Sequence, residues 1–244
     1  MLHGKNILAV IPARGGSKGI KLKNLIKLGN RSLVKWVADC VKACEIIDRA
    51  IVSTDHPEIK RVAEASGLEC PFVRPDYLAG DVVSDVDVLC HAVHTFEQQT
   101  DIHYDIIVML QPTSPFRRPS HINAVCNKLI HDNCDSVLTL SKSDPKTHPL
   151  KQLLFENNIV KYYDEAGKVI IARQQLPALY FRNGLAYAMT RDCLLVQKST
   201  IGRHPSAVIT EDRVVNIDSN EDVEYGQYLL DRKLVKQEND VGSY

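Results

Sequence analysis

A chain of 244 residues, 44% of them apolar, can bury a sizeable core as one large domain or one domain with an appendage. Thirty basic residues balance thirty acidic ones without a long block of one sign. That argues against a duplex-binding face or a polybasic membrane anchor, and is compatible with a cationic site of a few residues. No stretch approaches the roughly 18 apolar residues of a membrane span, and the N-terminus leads into a strand rather than a signal peptide.

The first predicted element is a strand, Ile7–Ile11, whose continuous apolar run reads as buried on both faces. It breaks at Pro12 into a segment in which Gly15, Gly16 and Gly19 alternate with Arg14, Lys18, Lys21 and Lys23. Glycines let backbone N–H groups approach a ligand and the cations supply charge, so the segment suits a polyphosphate. Its place after a first strand is where α/β folds bind ligands; a lone cluster of this composition would read as a solvated basic turn.

Ser32 then caps a helix with Leu33, Trp36, Val37, Cys40, Val41 and Cys44 at helical spacing. A strand over Ala50–Ser53, a helix ending at Gly67 and a third strand over Glu69–Val73 follow. Ser84 caps the next helix, Asp105–Leu110 is a fourth strand, and a helix carrying Ile122, Val125, Cys126 and Leu129 leads to Ser136–Leu140. This alternation predicts a mostly parallel, doubly wound α/β sheet.

Residues 141–183 break the pattern with Asp144-Pro145, His148-Pro149, Pro177 and a hairpin signal at Asn157-Asn158. We read an excursion suited to a lid or a subunit contact within a single domain over 1–244. Strands over Leu185–Met189, Ala207–Thr210 and Val214–Ile217 return to the sheet, Asp218-Ser219 caps a last helix, and residues 236–244 read as a frayed tail. The seven irregularly spaced cysteines, without a CxxC pair, read as free thiols of a reduced compartment, hence a cytoplasmic location. His91-x-x-His94 lacks a recognisable third metal ligand, and no GxSxG or HExxH motif occurs.

The loop matches neither a Walker motif nor GxGxxG. What stands there is Pro12-Ala13-Arg14-Gly15-Gly16-Ser17-Lys18-Gly19, then Lys23-Asn24-Leu25. It resembles the nucleotide-binding signature of the acylneuraminate cytidylyltransferases. Other segments match in the same order: Arg74-Pro75, Leu78-Ala79, His91-Ala92 and Leu110-Gln111-Pro112-Thr113-Ser114-Pro115. His148-Pro149, Arg173-Gln174, Leu176-Pro177, Asn183-Gly184 ahead of Tyr187, and Ile217-Asp218 with Glu221-Asp222 continue the series.

The resemblance implies a Rossmann-like fold and transfer of CMP from CTP to the anomeric hydroxyl of a sialic-acid-like nonulosonic acid, with pyrophosphate leaving. It implies Arg14, Ser17, Lys18 and Lys23 around the triphosphate, Arg14 and Lys23 mattering most to the rate, and Asn24, Arg74 and Ser84 as further nucleotide contacts. Lys18 could instead be merely solvated, and Ser84 could do no more than start its helix. Gln111, Arg173 and Tyr187 fall at sugar-contacting positions, although Tyr187 could be a core tyrosine. The resemblance also implies a homodimer joined through the 141–183 excursion; the balanced charge leads us to expect neither nucleic acid nor membrane as a partner.

Lys21 replaces a proline common in the family. Asn216 stands where many members have the first aspartate of an Asp-x-Asp pair, leaving Asp218 as the carboxylate for Mg²⁺. An amide carbonyl is the weaker ligand, so we expect a higher Mg²⁺ requirement or acceptance of Mn²⁺. Two rival readings remain open: CMP transfer to another acid, such as 3-deoxy-manno-octulosonate or a phosphonate, and a nucleotide-binding protein without turnover.

Overall fold

In the computed structural model, residues 1–17 and 19–235 are described; Lys18 and the expected tail at 236–244 lie outside them. β1 (Ile7–Pro12) has no polar face to offer solvent, and Ile7 through Ile11 are fully buried. Such a strand belongs inside a sheet. Its parallel neighbours are β4 (Arg49–Ser53) and β5 (Ile106–Met109), with Val10 opposite Ile51 on one side and Met109 on the other.

The complete sheet places β10 (Pro205–Ile209), β6 (Ser136–Lys142) and β9 (Tyr180–Thr190) beyond β5, giving the order β10-β6-β9-β5-β1-β4. β9 runs antiparallel to β5, with Tyr187 opposite Met109. A ribbon of β2 (Lys27–Leu28) and β3 (Arg31–Ser32) turns at Gly29. The chain leaves β1 for β4 on one side and returns to β5 on the other. That reversal of direction is where α/β sheets open a crevice at the carboxyl ends of their strands.

The helices start where the sequence supplies caps. Ser32 accepts a hydrogen bond from the backbone of Lys35 to begin α1 (Leu33–Lys42), which buries Val34, Val37, Ala38 and Val41. α2 (Pro57–Ala65) has proline in its first turn, and Gly67 (φ 82°) ends its path. Ser84 caps α3 (Asp85–Thr100), accepting from the backbone N–H of Asp87 at 3.1 Å. After α4 (Pro119–His131) and α5 (Arg191–Leu195), α6 (Asn220–Asp231) opens with a reciprocal box: the Ser219 hydroxyl accepts from the Asp222 N–H, and the Asp222 carboxylate from the Ser219 N–H.

Two expected strands are absent from the named elements. Glu69 makes a single bridge to Ile51, after which Pro71 has no N–H to continue a ladder. The 214–217 segment is also not a strand, although Ile217 donates its N–H to the carbonyl of Thr113 at 2.9 Å.

Residues cluster into two compact units. One comprises Met1–Thr139, Asn183–Val208 and the segment beginning at Asp212; the other comprises Leu140–Arg182 with Ile209–Glu211. The second unit contains a hairpin of β7 (Leu153–Glu156) and β8 (Ile159–Tyr162). Asn157 and Asn158, at φ 52° and 62°, take the left-handed conformations that a tight hairpin turn requires.

Because a glycine at the N-cap leaves the first turn open to water, the two truncations of Ser84 should differ. Ser84→Ala should lower stability by about 1 kcal/mol in urea unfolding, and Ser84→Gly by only a few tenths. Equal losses would remove the capping role.

Candidate active site

A cavity of about 370 Å³ opens in the first unit. Pro12 and Arg14 enter it from the end of β1, Lys23 and Asn24 from the turn that follows, and Gln111 and Thr113 from beyond β5. Arg74, Asp81 and Asp85 line another wall, and Asn216 and Asp218 complete it. The cavity thus lies at the reversal between β1 and β5.

Each cation in it is held by a partner. The Lys23 ammonium donates to Asp218 Oδ1 at 2.6 Å across 195 residues of sequence, while the Asp218 side chain stays 73% exposed. Arg14 donates to Asp81 Oδ1 at 2.8 Å, both side chains about one-third exposed. Ion pairs with a wetted partner are weak, so either cation can be drawn away by a stronger anion. Arg74 is different. It is buried, donates to the hydroxyl and carbonyl of Ser53 at 3.0 and 2.5 Å, and burial pushes its guanidinium down to about 10. It remains charged at neutral pH.

The glycine-rich loop is pinned from three directions. The Gly15 N–H donates to Asp55 Oδ1 at 2.8 Å, and a β-carbon on Gly15 would fall 2.8 Å from the His56 ring. Asn24, buried, turns its amide N–H₂ back onto the Arg14 carbonyl at 2.9 Å. Gly19 lies so close to the 216–218 segment that a β-carbon there would meet the Asp218 carbonyl at 2.4 Å. The absence of side chains at Gly15 and Gly19 is what permits these approaches.

Of the residues singled out from sequence, Arg14, Lys23, Asn24, Arg74, Gln111, Asn216 and Asp218 come together here. Ser17, Ser84 and Tyr187 are not among the lining residues. Tyr187 is buried on β9 and Ser84 caps α3. Arg173 belongs to the second unit, where it lines a cavity of about 650 Å³ with Lys142, His148 and Gln174. Lys18 lies outside the described residues.

Sequence reasoning missed the groups that hold the walls. Arg117 is buried and donates to the carbonyls of Gln111 (2.7 Å), Gly184 (3.0 Å) and Leu185, tying the loop after β5 to β9. Burial lowers its pKa to about 10. Nearby, the Asp212 carboxylate accepts from Arg118 at 2.5 Å and lies 2.8 Å from His121 Nε2, anchoring the start of the 212–218 segment to α4. Burial depresses the His121 pKa and favours its neutral form. An Arg-Arg pair after a Ser-Pro turn has no spacing that announces such duties.

The family described as cytidylyltransferase matches residues 8–234. The chain belongs to that family. It is a nucleotidyltransferase by membership. A pseudaminic acid cytidylyltransferase of Campylobacter jejuni is 29% identical over 226 residues, covering 91% of this chain and 95% of that protein. A CMP-N,N'-diacetyllegionaminic acid synthase of Legionella pneumophila is 31% identical over 194 residues, 79% of this chain and 82% of that one. The Campylobacter coli post-translational flagellin modification protein B is 26% identical over 230 residues, 93% and 96% of the two chains. Among solved structures, a CMP:2-keto-3-deoxy-manno-octonic acid synthetase complexed with CTP superposes with a TM-score of 0.69 at 16% identity, over 93% of this chain and 99% of that one. At that identity it shows the fold.

Replacing Arg117 by methionine leaves three inward carbonyls without their donor. Urea unfolding should show a loss on the order of 3 kcal/mol, which Arg117→Lys does not restore because one ammonium cannot span the three acceptors. A variant as stable as wild type contradicts the clamp.

Proposed function

We propose that the protein transfers CMP from CTP to the anomeric hydroxyl of a nonulosonic acid, releasing pyrophosphate. The observation that carries this reading is one crevice in which Arg14, Lys23, Asn24, Arg74, Gln111 and Asp218 converge, in a chain of the cytidylyltransferase family. Relatives named for pseudaminic and legionaminic acids support a nonulosonic acceptor.

In this reading the triphosphate displaces Asp81 from Arg14 and Asp218 from Lys23. Charge-assisted hydrogen bonds from both cations then stabilise the pyrophosphate as it leaves. Ser17 and Lys18 extend the phosphate cradle, while Asn24 and Arg74 position the nucleoside end. Gln111 orients the sugar acid. Arg173 and Tyr187 belong to the proposal on the strength of motif position, without a place in this crevice.

Among the described residues no cluster of three His, Cys, Asp or Glu side chains exists to cage an ion. Asp218 offers one exposed carboxylate, which suits an ion that arrives with the phosphates and keeps several waters. Asp218 would therefore hold Mg²⁺, or Mn²⁺ in its place, and the ion supplies charge neutralisation on the transferring phosphate.

The second unit supports a homodimer: Leu153, Phe155, Ile159 and Val160 on the hairpin are each more than half exposed, a liability unless another surface covers them. Seven free cysteines support a cytoplasmic setting. Among the described residues no helix is long and apolar enough to cross a membrane.

Pyrophosphate release with CTP, Mg²⁺ and a panel of acids tests the reaction. Turnover with sialic, legionaminic or pseudaminic acid is the expected result. Turnover confined to an octulosonate or a phosphonate would change the acceptor, and CTP binding without any turnover would end the enzymatic reading. In the same assay Asn216→Asp, which adds a second carboxylate, should lower the Mg²⁺ concentration for half-maximal rate. An unchanged metal titration contradicts the view that a single carboxylate limits metal use.

A further inference from the structure

Asn216 lines the crevice, and its two polar atoms are not equivalent there. The Ser114 hydroxyl, on a residue only 1% exposed, donates to Asn216 Oδ1 at 2.7 Å. The same oxygen lies against Gly184, where a β-carbon would stand 2.9 Å from it. Gly184 has φ 78°, so the backbone favours glycine at this close approach. The carbonyl side of the amide is thus turned onto protein. With the amide reversed the Ser114 hydroxyl could accept from Nδ2, but its own buried proton would lose this acceptor, so the orientation with the carbonyl on Ser114 is favoured. Asn216 Nδ2 donates to no group among the described residues.

We propose that Asn216 is a phosphate-binding donor, not a metal ligand: its N–H₂ faces the crevice and binds an anionic phosphate oxygen of the nucleotide. The inference rests on the functional reading above and deepens it. The phosphate is favoured as the bound group because Gly19 of the glycine-rich loop packs directly on the Asp218 carbonyl, two residues from Asn216. Lys23, which pairs with Asp218, enters the same crevice. An ionised carboxylate at position 216 could only accept hydrogen bonds and would repel a phosphate; an amide donates. Ser114 is the positioning residue, holding the carbonyl away from the site.

Two titrations separate this role from metal ligation: CTP binding followed calorimetrically in EDTA, and Mn²⁺ binding to the CTP complex followed by paramagnetic resonance. Asn216→Ala should weaken metal-free CTP binding roughly tenfold, the size of a lost hydrogen bond to a charged group, and leave Mn²⁺ affinity unchanged. Ser114→Ala, which frees the amide to turn its oxygen outward, should weaken metal-free CTP binding and tighten Mn²⁺ binding. Ser114→Thr should restore both. A purely structural role for Ser114 would weaken the two together. Asn216→Ala that weakens Mn²⁺ binding while sparing metal-free CTP overturns the assignment and leaves the functional reading standing. Wild-type protein that binds no CTP removes both.

Discussion

The crevice depends on holding chain segments that are far apart in sequence in contact with one another. Buried Arg117 supplies one such constraint, donating into the carbonyls of Gln111, Gly184 and Leu185. A fully buried guanidinium is costly unless its donors are used. Here three carbonyls from two segments take its Nε and Nη2 donors while Nη1 has no partner among the described residues, so losing the cation would leave those three carbonyls unpaired. The second constraint is steric: Gly19 against the Asp218 carbonyl, and Gly184 against Ser114 and Asn216, are approaches that only a missing side chain permits. Together these contacts bring the loop after β1, the loop after β5 and the 216–218 segment to one place.

On that scaffold, the proposed binding of a triphosphate requires the charges to be exchanged. Arg14 and Lys23 each rest on a carboxylate that is itself partly in water, Asp81 and Asp218. Pairs of this kind keep the cations oriented yet can yield to a ligand with several negative oxygens. Arg74, bonded to Ser53 in the interior, is not available for such an exchange and serves as a fixed positive wall. In the proposed reading, weak pairs would face the phosphates and a rigid cation would stand elsewhere, a division that suits a nucleotide that must bind, react and depart.

Much of the fold was legible because its signals are local. The unbroken apolar run Ile7–Ile11 could only be an interior strand, and Ser32, Ser84 and Ser219 mark helix starts by the chemistry of their caps. Expectations failed where local apolarity stood in for pairing. Glu69–Val73 has strand composition, but Pro71 ends its ladder after one bridge, and 214–217 follows the Thr113 loop without becoming a strand. Motif position pointed to Arg14, Lys23, Arg74, Gln111 and Asp218, which the structure brings to one crevice. Arg117 and Asp55 were not singled out, and Ser114 stood in a motif without a role, because their work is to hold groups far away in sequence, and a single sequence carries no trace of a contact over 100 residues such as Ser114 to Asn216.

In the proposed reading Lys23 leaves Asp218 to hold phosphate. The most direct test is the ratio of CTP to cytidine affinity, measured calorimetrically for wild type and Lys23→Ala. Lys23→Ala should lose on the order of tenfold or more in CTP affinity and almost nothing in cytidine affinity, collapsing the ratio. Equal losses for both ligands, or an unchanged ratio, would contradict it.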